Sequence, residues 1–153
     1  MQSRKFRILP LLCALALTGC DPATSEQANA AAEELAATFT LEGTSWQLVR
    51  IVSIGGFEFV PEDGSGYVIR FRSGGRLTGD SDCNTLGATW IQDGNALTLE
   101  QFVTTNQLCP PGTMHNHFVS NIMNVQAFSQ VDDMLIFTTH IEGVSIELIP
   151  NTL

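Results

Sequence analysis

Basic residues are scarce in this chain and lysine is nearly absent. Its 153 residues include 7 Lys and Arg against 16 Asp and Glu, and Lys5 is the single lysine. Arg4, Lys5 and Arg7 sit at the extreme N-terminus. Beyond residue 20, four arginines (Arg50, Arg70, Arg72, Arg76) therefore face all 16 acids, a net charge of −12. A chain with no basic face cannot neutralise a row of phosphates, which excludes nucleic acid as a partner. Without lysine the domain supports neither Schiff-base chemistry nor a lysine-dependent phosphate loop. The four cysteines include no Cys-x-x-Cys spacing, so a thioredoxin-like redox pair is excluded. No serine occupies a Gly-x-Ser-x-Gly elbow; Ser65 in Asp63-Gly64-Ser65-Gly66 is the nearest approach. The apolar run Ile8 to Leu17 is too short to stay in a bilayer as a spanning helix.

What is present at the N-terminus reads as an address. Residues 1–20 combine the positive Arg4, Lys5 and Arg7 with that short apolar run and end in Leu17-Thr18-Gly19-Cys20. The ending resembles the bacterial lipobox, which implies that the Cys20 thiol is diacylated before cleavage and that Cys20 becomes the new N-terminus, with a place in the cell envelope, anchored and facing the periplasm. Two or more acyl chains hold a protein on a membrane stably. Asp21 resembles the inner-membrane retention signal of enteric bacteria, but other lineages read that position differently, so inner or outer membrane stays open. Residues 21–40 contain seven alanines, Glu26, Glu33 and Glu34 and few large apolar side chains. Such a stretch reads as a flexible or helical tether, with Ser25 able to cap a short helix.

From residue 41 to 153 the pattern becomes that of one mainly β (α+β) domain. Tyr67, Ile69 and Phe71 alternate with Val68, Arg70 and Arg72, as in a strand with one buried face; Trp46 and Leu48, Ala88 and Trp90, and Leu97 and Leu99 show the same period of two. Asp93-Gly94-Asn95 marks a hairpin between two of these runs. Met134, Ile136 and Thr138 alternate near the end, and Val144, Ile146 and Leu148 follow the Glu142-Gly143 turn. Six to eight strands result. One helix interrupts them: Thr113 caps it, Met114, Phe118, Ile122 and Val125 form its apolar stripe, and it should end near Phe128. The expected architecture is an antiparallel, barrel-like sheet with that helix packed across an open end.

Cys13 leaves with the signal and Cys20 carries lipid, so Cys83 and Cys109 remain in a compartment that permits disulfides. They either form a bridge or pack as two thiols; spacing alone does not decide. Several stretches resemble a family. They are Gly43-x-x-Trp46-x-Leu48, Phe71-x-x-Gly74-Gly75-Arg76-Leu77-x-Gly79, Cys83-Asn84-x-x-Gly87-x-x-Trp90, Gly94-x-x-Leu97 and Thr105-x-x-Leu108-Cys109. Together they resemble the META domain, also called HslJ-like, of bacterial envelope lipoproteins. Asp82 stands where that family usually has glycine, and Trp90 where tyrosine is common. The resemblance implies a barrel-like fold, an envelope location and an association with heat or antibiotic stress. It implies no catalytic activity.

The remaining chemistry-bearing residues are weak as sites. Asp80-x-Asp82-x-Asn84 opens like a calcium loop, but the sixth and twelfth positions hold Thr85 and Ile91 instead of glycine and glutamate. His115 and His117 are two apart and diverge on a helix, with His140 distant, so no zinc site is expected. Glu62-Asp63 and Asp132-Asp133 fall in turns. Arg70, Arg72 and Arg76 either pair with nearby acids or meet an anion or an acidic partner. The expectation is therefore no catalytic residue, no cofactor and no metal. The domain would be held to the membrane by its N-terminal lipid and would bind other envelope proteins. The alternative is a carrier of a small hydrophobic ligand, which needs space between Trp46, Phe71, Trp90 and Phe118.

Overall fold

The computed structural model describes residues 39–152. The signal, Cys20 and most of the tether lie outside the described residues. Nine strands and one α-helix follow in order: β1 (Ser45–Val52), β2 (Glu58–Phe59), β3 (Tyr67–Arg72), β4 (Arg76–Ser81), β5 (Asn84–Asp93), β6 (Ala96–Thr104), α1 (His115–Ile122), β7 (Val125–Val131), β8 (Met134–Thr139) and β9 (Ser145–Pro150). Every pairing is antiparallel. Strand β9 returns to β1, from Trp46 opposite Pro150 to Val52 opposite Ser145, and closes an eight-stranded barrel from β1 and β3 to β9. The two-residue β2 is an addition that extends the sheet beside the far half of β1. Closure removes the free edges that an open sheet would expose. The thinnest join is between β6 and β7, which meet at the single pair Ala96–Ala127.

The hairpin at Asp93-Gly94-Asn95 forms as expected, with Asp93 opposite Ala96 and Gly94 in the left-handed region at φ 57°. Trp46, Leu48, Ile69, Phe71, Leu77, Trp90 and Leu97 point inward and are buried. The Phe71 ring lies edge-on to Trp90 at 5.3 Å and to Phe137 at 6.3 Å. Trp90, the departure from tyrosine, finds a partner for its indole N–H in the Arg72 carbonyl. Trp46, Phe71, Trp90 and Phe118 thus occupy the interior that the carrier reading needs open.

Two local expectations change. The helix spans only His115–Ile122, and Phe128 belongs to β7. The apolar stripe is real, since Met114, Phe118, Ile122 and Val125 are all buried, but Val125 is buried as the first residue of a strand. Asn121 and Asn124 side chains donate to the His117 and Ser120 carbonyls four residues earlier, and the chain turns into β7 at Asn124. The inward phase of β8 also differs from the Met134, Ile136, Thr138 alternation: Leu135, Phe137 and Thr139 are the buried set. With apolar residues on both phases, β8 takes the register that pairs Leu135 with Leu148 and Phe137 with Ile146 across the closing barrel.

The connections sort the molecule into two ends. Residues 39–44, the turns at 73–75, 94–95 and 132–133, and the last described residues lie at one end. There Leu41 is fully buried, its N–H donates to Gln92, and Phe39 packs on Trp46 and Phe128. Packing thus begins at Phe39, two residues ahead of the boundary expected at Leu41. The Asn151 N–H donates to the Ser45 carbonyl, so the chain leaves where it entered. The opposite end carries the 53–66 connection, the Asp82–Cys83 turn, the 105–114 loop with α1, and residues 140–144.

Candidate functional site

Four of the residues singled out in the sequence, Cys83, Asn84, Thr105 and Cys109, meet at the helix end as a structural clamp. Cys83 and Cys109 are joined by a disulfide, with Cα atoms 5.5 Å apart. Asn84, 2% exposed, sits beside it. Its Oδ1 accepts from the Thr105 hydroxyl at 2.8 Å and the Gln107 N–H at 2.7 Å. Its amide donates to the Gln107 carbonyl at 3.2 Å and contacts both sulfurs. A buried amide that satisfies both its ends explains why asparagine next to cysteine and threonine four residues before cysteine occur together: they hold the 105–109 loop to the barrel. Asp82, where glycine was the expectation, adopts φ 61° and donates its N–H to the Gly66 carbonyl. The turn keeps its left-handed geometry because aspartate tolerates that region better than most residues.

The Asp80-x-Asp82-x-Asn84 run does not form a cation loop. Asp80 pairs with Arg70 at 2.7 Å, Asp82 faces a cleft and Asn84 is inside the clamp. The histidines also separate. His115 Nδ1 lies 2.7 Å from the Ser81 hydroxyl, while the His117 ring stacks on Phe59 at 4.4 Å and 24°. Among the described residues no three His, Cys, Asp or Glu side chains gather as metal ligands. The Ser81–His115 contact escaped the sequence reading because the two are 34 positions apart and joined only by the fold. It resembles half of a nucleophile–base arrangement, but Ser81 is 0% exposed, so substrate cannot reach its oxygen. The pair anchors the first turn of α1 to the end of β4. The N-cap position falls on Met114, without a side-chain cap, instead of on Thr113 as expected; Thr113 stands one residue earlier and accepts the His115 N–H at 3.1 Å.

The arginines divide. Arg70 pairs with Asp80 as the pairing alternative required, and Arg50 makes a two-pronged contact to Glu147 and reaches Glu58. The Glu147 hydrogen bond, with both carboxylates, holds the Arg50 pKa above its ordinary value. Arg72 and Arg76 face each other across the β3–β4 turn, exposed and without an ion pair among the described residues.

Beside the clamp lies a cleft of about 500 Å³. Val60, Pro61, Pro110, Pro111 and Met114 give it apolar walls, and Tyr67 contributes a hydroxyl that accepts the Met114 N–H at 2.8 Å. Glu62, Asp63 and Asp82 add three carboxylates and no basic side chain lines it. The Asp63 carboxyl is held below its usual range, first by the Ser65 hydroxyl and then by the Ser65 N–H at 2.8 Å. The arrangement offers shape, apolar walls and negative charge.

The META-domain family model matches residues 33–149. No curated protein matches the chain by sequence. Solved structures share the fold, among them two that are each 17% identical to this chain. A protein from Burkholderia xenovorans, solved by NMR, is 17% identical with a TM-score of 0.63, covering 97% of this chain and 100% of its own. A DUF4847 family protein from Bacteroides vulgatus ATCC 8482 is 17% identical with a TM-score of 0.54, covering 80% and 99%.

Proposed function

Because the chain belongs to the META-domain family, we propose that it is a lipid-anchored periplasmic domain that acts by binding other envelope proteins, not by catalysis, in a response to heat or antibiotic stress. The observation that carries this reading is the sorting of the two ends. The chain enters and leaves at one end, and the cleft lies at the other. A lipid on Cys20 would hold the first end toward the membrane. The 18 residues between Cys20 and Phe39 would span at most about 60 Å when extended. The recognition surface would then face outward into the periplasm. The buried aromatic interior supports surface binding over carriage of a ligand inside the barrel.

The test is membrane fractionation of the wild-type and C20S chains together with intact mass. The wild type should partition with membranes and carry the mass of diacylglycerol on a chain starting at Cys20. The C20S chain should carry no diacylglycerol mass and, without the acylation that precedes cleavage, should keep residues 1–20. A wild-type chain that is soluble and unlipidated sinks the anchor, and the absence of any crosslinked envelope neighbour sinks the binding role.

A further inference from the structure

We infer that the helix end is a docking surface for an extended segment of another envelope protein, in which apolar side chains alternate with lysine or arginine. The inference rests on the binding role just proposed and names its surface and the partner's chemistry. Ile54, Phe57 and Val60 are 62%, 72% and 61% exposed within seven residues of chain. Clustered exposure of this kind marks interaction sites, whereas single exposed apolar residues do not.

The group is held in place. The Ser53 N–H donates to the Phe57 carbonyl at 2.7 Å and the Gly56 N–H to the Ser53 carbonyl at 3.0 Å. Gly55 and Gly56, at φ 80° and 79°, allow so tight a reversal. Beyond it, β2 pairs with β1, and Phe59 stacks on His117 of α1. A surface ordered before binding loses little entropy when it is covered. Val60 also belongs to the cleft wall, so the apolar tip runs directly into the cleft.

Charge selects the occupant. Glu62, Asp63 and Asp82 line the cleft that Val60 shares with the apolar tip, while Glu58 is paired with Arg50, the cation beside it, which Glu147 also holds. A second copy of this acidic chain would bring like charges together, and lipid phosphates would meet carboxylates. An apolar segment flanked by cations satisfies both the patch and its rim.

The test uses the isotope-labelled C20S chain and NMR titration with three short peptides. One alternates lysine with leucine and phenylalanine, the second replaces its lysines by glutamate, and the third replaces its apolar residues by serine. Phosphatidylglycerol vesicles are the fourth probe. Only the first peptide should shift amides in residues 54–66, 82 and 112–114. Phe57→Ser should weaken it at least about tenfold, and Val60→Ser should weaken it in the same direction, without altering the remaining spectrum. Equal response to the glutamate peptide, shifts confined elsewhere, concentration-dependent self-association through these residues, or preference for the vesicles would each overturn the assignment. If the peptides leave this end untouched while the anchored chain still crosslinks to envelope proteins, the surface is wrong and the binding role stands.

Discussion

Removing the amide of Asn84 should unfasten the 105–109 loop although the disulfide stays closed. In Asn84→Ala the Thr105 hydroxyl and the Gln107 N–H lose the Oδ1 acceptor, and the Gln107 carbonyl loses its donor. Each such bond contributes about 1 kcal/mol net, and a partly buried group left without a partner costs more than an exposed one. The expected loss is about 2 to 3 kcal/mol, a fall in Tm of about 8 to 12 °C for a domain of this size. Thr105→Val should cost about 1 kcal/mol alone, through Asn84 and through the Thr85 N–H that its hydroxyl also accepts. The two substitutions remove one shared bond, so the double variant should be less destabilised than the sum by about 0.5 to 1 kcal/mol. Urea unfolding of the four oxidised chains measures the cycle. A loss below about 0.5 kcal/mol for Asn84→Ala, or full additivity, would refute the clamp.

Reduction of Cys83–Cys109, or the double change to serine, closes off a cross-link between residues 26 apart. It should lower stability by about 3.5 kcal/mol on chain-entropy grounds, read as a shift in the urea midpoint with and without reductant. Asp82→Gly should leave stability within about 0.5 kcal/mol of the wild type, whereas Asp82→Val should cost about 1 to 2 kcal/mol at the left-handed φ of 61°; urea midpoints that rank the two the other way would remove the backbone explanation. Asp63 favours its ionised form in the folded chain, because the Ser65 side chain and the Ser65 N–H, 2.8 Å away, both stabilise its charge. Its contribution is therefore present above the ordinary value of 3.8 and fades as pH falls through the lower folded value. The stability curves of wild type and Ser65→Ala should differ at neutral pH and converge in acid, and divergence toward acid would reverse the assigned cause.

Much of the candidate site was legible, though not its arrangement. Cys83, Asn84, Thr105 and Cys109 stand out as a spaced motif, and the structure joins them in one clamp. Ser81 and His115 gave no such signal, since a serine in a strand and a histidine opening a helix are ordinary until the fold sets them 2.7 Å apart. Ile54, Phe57 and Val60 were equally silent: an apolar run reads as core, and only closure of the barrel shows that this one is left outside.

Local chemistry determined most of the elements. Alternation made strands, Asp93-Gly94 made a hairpin, and the scarcity of cations by itself excluded whole classes of partner. Tertiary structure decided whatever depended on which distant segments meet. It set the inward phase of β8, whose two faces are both apolar, by pairing it with β9. It ended α1 early because Val125 is more useful to the barrel as a strand beside Thr139 than as another helical turn. It also chose Asp80 for Arg70 from many acids and gathered the cleft at the end opposite the chain entry. Periodicity is a property of neighbours in sequence, whereas register, pairing and position arise only when the ring of strands closes.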